Sequence, residues 1–509
     1  MLQKRNNWVL FFIILIALAV RLAGIDHGFP FIFHPDEPTI VRSALGIRFE
    51  LNPKHFDWPH LYIYLNYFLY MIFAKFRNFV PGLGLNSFFI KVFPLIWDDK
   101  LVFYYLTRCF SAILGALTVI PIYLSGKKLF GKNVGFFSAL AFALMPYHVR
   151  HSHYSLPDVP MVFFLAWGLY FATCILKETG IKNYILSGLF VGFSASTKYN
   201  GGLSALMIPT VHFLRVFERR TQDKAVKILT LKGFVALILS GLAALVGFTV
   251  GTPYALLDFK MFSRTDSPVG AFWQFTNVGS VTLSEHFAKF FSDISGKLLV
   301  DTGYTVMVGF VVLFFWFLIR FVRRSVEQRE FYLVFLYLMS LFLIWYVSGF
   351  EKNRSHYYFV VYPFLALIFG YFVDYFSFRA GKVGKSLKTV FLLSVFLPPF
   401  VFSFFQSYSF IRGDTRNQLQ AWLIKNNKPG STVVYNDSTL QDVFGSLGIY
   451  SVKGITLSRN YPNSLLILAD EQNDKDFLDS NKLILQRNVH FSNNLRLGPT
   501  ISVYSLNIK

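Results

Sequence analysis

The sequence predicts a polytopic α-helical membrane protein, with about eleven spans plus interfacial helices and a small α/β domain at its C-terminal end. Three observations carry that expectation. Charged residues make up only 15% of the 509 positions, against about 25% in an ordinary soluble domain. The apolar residues, 54% of the chain, gather in blocks of roughly twenty, the length that crosses a hydrocarbon core about 30 Å thick. After residue 406 the blocks stop and short mixed segments take over. The 61 phenylalanines suit lipid-facing helices and interfacial belts.

The expected spans are 8–24, 104–125, 133–148, 157–176, 183–198, 201–217, 233–251, 298–319, 331–349, 356–375 and 388–405. The first follows Lys4 and Arg5 but lacks a small-residue cleavage site, since Arg21-Leu22-Ala23-Gly24 leads straight to Asp26. It therefore reads as a retained span rather than a signal peptide. A further apolar stretch, 60–76, fits an interfacial or re-entrant helix.

Basic loops set the orientation. Lys127, Lys128 and Lys132 mark one; Arg215, Arg219, Arg220, Lys224 and Lys227 a second. Arg320, Arg323, Arg324 and Arg329 mark a third, and Arg379, Lys382, Lys385 and Lys388 a fourth. With the N-terminus cytoplasmic, eleven crossings put all four inside and the C-terminus outside; a twelfth at 60–76 would put all four outside. The expected setting is the cell's inner (plasma) membrane.

The expected division is a membrane domain, 1–405, and an extracytoplasmic α/β domain, 406–509. In the latter, Asp414–Asn427 reads as an amphipathic helix stopped by Pro429-Gly430. Thr432–Tyr435, Leu465–Leu468, Leu483–Leu485 and Ile501–Tyr504 read as strands. The formal charge of +21 belongs to loops between apolar blocks, so it speaks for topology beside anionic lipid and against nucleic acid. Cys109 and Cys174 both lie within apolar blocks and are expected as free thiols.

Under this topology four polar segments share the outside face. They are His34-Pro35-Asp36-Glu37-Pro38 with Asp57-Trp58-Pro59-His60-Leu61-Tyr62; Arg150 through Asp158; Ser196 through Gly201; and Glu351 through Tyr358. Ionisable groups at a membrane boundary are costly unless they face water or each other. A carboxylate there can take the proton of an attacking hydroxyl, and Arg, Lys and His can hold a phosphate at headgroup depth. Together these are the parts that sugar transfer from a lipid phosphate needs.

In this order the motifs resemble the GT-C membrane glycosyltransferases of the protein O-mannosyltransferase type, glycosyltransferase family 39, with bacterial lipid A aminoarabinose transferases as relatives. The matching pieces are His34-Pro35-Asp36-Glu37; Trp58-Pro59-His60-Leu61-Tyr62; Thr107-Arg108; Pro146-Tyr147-His148-Val149-Arg150; Leu156-Pro157-Asp158; Thr197-Lys198-Tyr199-Asn200-Gly201; His356-Tyr357-Tyr358; and Asp414-Thr415-Arg416. The resemblance implies an inverting transfer from a polyprenyl-phosphate sugar to an acceptor hydroxyl of a protein, lipid or glycan. It implies Asp36, Glu37 and Asp158 as the catalytic carboxylates, with Asp36 or Glu37 as the general base. Lys198, Arg354, His356 and Arg150 would hold the donor phosphate. His60, Tyr62, His153, Tyr154 and Tyr357 would line the sugar or acceptor pocket. Trp58-Pro59-His60 stands where many relatives have Pro-Pro or Pro-Ser, which leaves the acceptor open. No cofactor is implied, and a divalent metal stays open through His151, His153 and Asp158.

Simpler readings stand beside these. Glu37 suits the first turn of a helix, Asp158 suits a helix cap, and Lys198 and Arg354 suit snorkelling at span ends. A transporter or flippase of lipid-linked precursors is the competing class. Transporters show internal repeats and a site near mid-membrane, whereas here the ionisable residues cluster on one face without a repeat.

Overall fold

The computed structural model describes residues 2–79, 98, 100–178, 180–222, 230–277, 279–426, 432–454, 464–470, 474–480 and 485–506. Every expected apolar block within them is helical. In chain order these are α1 (Leu2–Leu22), α2 (Glu37–Gly46), α3 (Leu61–Phe79), α4 (Val102–Leu117), α5 (Val119–Phe130), α6 (Lys132–Ala143), α7 (Pro146–His151), α8 (Asp158–Lys177) and α9 (Ile181–Thr197). Then follow α10 (Met207–Gln222), α11 (Leu231–Gly251), α12 (Leu283–Asp293), α13 (Thr305–Val322), α14 (Tyr332–Ser348), α15 (Tyr362–Val383), α16 (Lys385–Ile411) and α17 (Thr415–Asn426).

Among the described residues 7 helices are long and apolar enough to cross a membrane. Some of the other blocks are broken by punctuation. The block expected at 133–148 is one example: α6 ends at Ala143, and Pro146, which has no N–H to give, opens α7. The α3 stretch is a single 19-residue helix that falls outside those 7.

Contacts divide the chain into two units. The first holds Met1–Leu22 and Thr39–Phe404, the second Ala23–Pro38 and Phe405–Lys509. One break in this division falls near 405, and residues 23–38 group with the C-terminal residues.

The main apolar cluster of the first unit includes Ala141–Ala143 of α6, Leu165 of α8, Leu336 of α14 and Phe364–Phe369 of α15. Its tightest helix pair is α9 against α11. A Cβ on Gly188 would lie 2.1 Å from the Ser240 carbonyl oxygen, and one on Gly192 would lie 2.2 Å from that of Ala244. This Gly-x-x-x-Gly spacing lets two backbones touch where apolar surface alone gives no drive in lipid.

In the second unit a five-stranded sheet has the order β2-β1-β3-β5-β4. The strands are β1 (Val433–Tyr435), β2 (Ser451–Lys453), β3 (Leu465–Ala469), β4 (Leu485–Phe491) and β5 (Ile501–Leu506). β1 is parallel to β2 and β3, while β5 is antiparallel to β3 and β4. The strand expected at Leu483–Leu485 instead starts at Leu485 among the described residues and runs on to Phe491; Leu483, Pro429 and Gly430 lie outside them. β2 has three residues and no buried one, so it offers no alternation to read.

The sheet and α17 enclose a core of Leu419, Leu423, Val433, Ile467, Ile501 and Val503, joined by Phe31 from the 23–38 segment. Asn417 Nδ2 donates to the carbonyls of Gly28 and Phe29 at 3.2 and 3.0 Å. Arg416 binds both oxygens of Asp414, at 2.8 and 2.7 Å, and lies 3.6 Å over the Phe33 ring. The Asp414-Thr415-Arg416 motif thus fastens this unit together.

Candidate active site

The chemistry-bearing residues of the first unit meet where α8 begins and α9 ends. Asp158 opens α8, where a carboxylate also faces the positive end of the helix dipole. Lys198 closes α9 in an extended conformation, and the chain then doubles back as a 3-10 turn, Tyr199–Leu206. The turn needs Gly201, because a Cβ there would sit 2.3 Å from Ser194 Oγ. Lys198 Nζ donates to Asp158 Oδ1 at 2.5 Å. Asp158 is buried and the Lys198 side chain is 13% exposed. A buried ion pair must offset the desolvation of both ions.

Two rings frame the lysine ammonium: Trp58 with its centroid at 5.4 Å and Tyr357 at 5.5 Å. Lys198 therefore directs one N–H to Asp158 and presents positive charge to two aromatic faces. His356 and His151 also act electrostatically on Asp158. Their rings lie 5.3 Å apart, and Tyr147 covers His151 at 4.6 Å. Asn200 Nδ2 donates to the Tyr357 carbonyl at 3.4 Å, tying the Lys198 turn to the His356 segment.

The remaining expected residues divide. Arg354 precedes the 3-10 turn Ser355–Val360 and is exposed. Arg150, on α7, acts electrostatically on Tyr147, as does Asp158. Tyr154 makes an edge contact with His151 at 6.1 Å. His153 is fully buried, with Nδ1 bonded to the Val149 carbonyl at 2.9 Å.

Tyr62 sits on α3. It is buried between α3 and α4, stacked on Phe110 at 6.1 Å with its hydroxyl on the Thr107 carbonyl, and it packs. His60 is buried with Nε2 on the His55 carbonyl at 2.9 Å, and burial pulls its imidazole down to about 4. It is neutral near pH 7 and supports the Trp58 loop. Among the described residues no three His, Cys, Asp or Glu side chains are arranged to hold a metal ion, so His151, His153 and Asp158 do not form such a group.

Asp36 and Glu37 fall in the second unit. The Asp36 backbone N–H donates to His34 Nδ1 at 3.2 Å, and Glu37, fully buried, stands in the first turn of α2.

Several residues escaped the sequence reading. Asp293 accepts from Tyr358 Oη and Asn353 Nδ2, each at 2.5 Å, and pairs with Lys297 at 3.0 Å; this anchors the loop before Arg354 to α12. Asp301 lies eight residues further on. Two carboxylates flanking the start of an apolar block were the available signal. Arg21, fully buried, donates to the Ala17 and Ala143 carbonyls at 3.1 and 2.9 Å and contacts His148 Nδ1 at 3.1 Å.

Comparison with known proteins bears on this geometry. Residues 84–243 match the family model described as dolichyl-phosphate-mannose-protein mannosyltransferase, a stretch that contains Asp158 and Lys198. A segment is 36% identical over 107 residues to dolichyl-phosphate-mannose--protein mannosyltransferase 1 of Saccharomyces cerevisiae, covering 19% of this chain and only 13% of the yeast protein. Among solved structures, ArnT from Cupriavidus metallidurans in the apo state is similar over 98% of both chains, with a TM-score of 0.51 at 11% identity. The archaeal oligosaccharyltransferase AglB from Archaeoglobus fulgidus, in complex with an inhibitory peptide and a dolichol-phosphate, is similar over 98% of this chain and 74% of its own, with a TM-score of 0.52 at 12% identity. The chain has the fold of the GT-C membrane glycosyltransferases.

Proposed function

We propose, for a chain that has the GT-C fold and resembles the protein O-mannosyltransferases across its middle, that it transfers a sugar from a polyprenyl phosphate to an acceptor hydroxyl on the extracytoplasmic face. The acceptor oxygen forms a bond to the anomeric carbon, the bond from that carbon to the phosphate oxygen breaks, and configuration inverts. The hydroxyl proton passes to a carboxylate, and the phosphate leaves as the polyprenyl monophosphate.

The observation that carries this reading is the Lys198 ammonium, held by Asp158 and walled by Trp58 and Tyr357. A cation fixed in position and partly desolvated suits a phosphate whose charge grows as the sugar departs. Arg354, His356 and Arg150 supply further positive or donor groups for the phosphate. Asp158 positions Lys198, and the general base is Asp36 or Glu37, by resemblance to the family's acidic pair. The protein partners are the donor lipid, the acceptor and membrane lipid. The N-terminus is cytoplasmic and the C-terminal α/β unit extracytoplasmic in the plasma membrane, as the basic loops require.

The test uses purified protein in detergent with polyprenyl phosphate mannose and a serine- and threonine-containing peptide, measuring release of polyprenyl phosphate. Wild type is expected to turn over, and Asp36→Asn or Glu37→Gln to lose about 10²- to 10⁴-fold if it is the base. Turnover near wild type in both folded variants overturns the general-base assignment. No transfer to peptide, glycan or lipid hydroxyls overturns the reading itself.

A further inference from the structure

Asp301 ends the short helix Leu299–Asp301, which packs against α7 just before the α13 span. Among the described residues its Oδ2 is buried without a hydrogen-bond partner. Ser355, between Arg354 and His356, donates to its carboxyl, and Arg150 and Lys297 act on it electrostatically. Lys297 is committed elsewhere, to Asp293 at 3.0 Å and to Asn353. A second such group lies close: the Tyr362 hydroxyl is buried without a hydrogen-bond partner among the described residues and interacts electrostatically with Asp301 and Tyr147. Tyr147 in turn interacts with Asp301, Arg150 and Asp158, so this group is continuous with the Lys198 site.

A buried carboxylate oxygen and a buried phenol without partners each cost free energy until something bonds them. The missing partner must donate to the carboxylate, which excludes a phosphate. It must also accept or donate at a phenol and accept from Arg150, whose guanidinium only donates. Neighbouring sugar hydroxyls meet all three demands, being donors and acceptors at a fixed spacing.

We propose that Asp301, with Ser355, Arg150 and Tyr362, forms the subsite that binds the hydroxyls of the donor's hexose. This rests on the donor reading above and deepens it, since Lys198 takes the phosphate and Asp301 the sugar. The subsite sets which sugar is accepted, because a site built to bond a hydroxyl rejects analogues that lack it.

The experiment separates the two halves of the donor. Binding of decaprenyl phosphate and of decaprenyl phosphate mannose is measured in detergent for wild type, Asp301→Ala and Asp301→Asn. In the alanine variant the mannosyl lipid is expected to bind about tenfold more weakly and the bare lipid phosphate within about twofold of wild type, with asparagine intermediate. Asparagine keeps the side-chain volume and a bond to Ser355, so it reads the subsite even if alanine fails to fold. Equal weakening of both lipids, or of neither, overturns the subsite. A wild type that gains no affinity from the mannose overturns it too while leaving the donor reading standing. A wild type that binds neither lipid overturns both.

Discussion

Lys198 and Asp158 are bonded at 2.5 Å across forty residues, joining the residue that follows α9 to the first residue of α8. Because Asp158 is buried, removing only the lysine strands a charge. Lys198→Met is expected to cost about 3–5 kcal/mol of stability. The double variant Lys198→Met with Asp158→Asn should recover most of that and still lack transfer. Melting temperatures in detergent, set beside turnover, check both halves; a double variant that regains activity would refute the role given to Lys198.

Asp301 gives a pH dependence of defined sign. Burial pushes its carboxyl from 3.8 up to about 6, so between those values the folded chain holds a proton that the unfolded chain releases. Stability from this group therefore falls as pH rises from about 4 through about 6 and is level above; two units correspond to ~3 kcal/mol at most. Asp301→Asn should melt above wild type at pH 7.5 and level with it below pH 4. A gap that does not change with pH would sink the assignment.

Arg21 tests which of two opposing terms wins. Its burial without a carboxylate costs desolvation, yet it closes carbonyls at the end of α6, where the helix dipole is negative. If capping dominates, Arg21→Met loses about 2–4 kcal/mol, and Arg21→Lys loses less. Unfolding in graded denaturant measures this. A methionine variant more stable than wild type would show that desolvation dominates.

The helical architecture was legible because span length and charge depletion are properties of the chain alone. The Asp158–Lys198 neighbourhood was legible for a related reason: ions at a membrane boundary need a partner or a ligand. Arg21 was not, because a cation at the end of an apolar block looks the same whether it reaches for headgroups or for a neighbouring helix's carbonyls. The packing of Tyr62 was not legible either, since a tyrosine beside Trp58 and His60 carries no local sign of its stacking on Phe110 of α4. The membership of residues 23–38 was invisible because their partners are far along the chain and carry no local signal.

That last feature bears on synthesis. Asn417 meets Phe29 across 388 residues, and Phe31 completes a core whose β5 strand ends at Leu506. A ribosome will have inserted nearly every span before these partners exist. Residues 23–38, with Asp36 and Glu37 among them, then wait in a half-made protein. Closing so long a loop is slow. A chain stopped short of β5 would have its membrane helices and lack the partners that give its acidic pair a settled place.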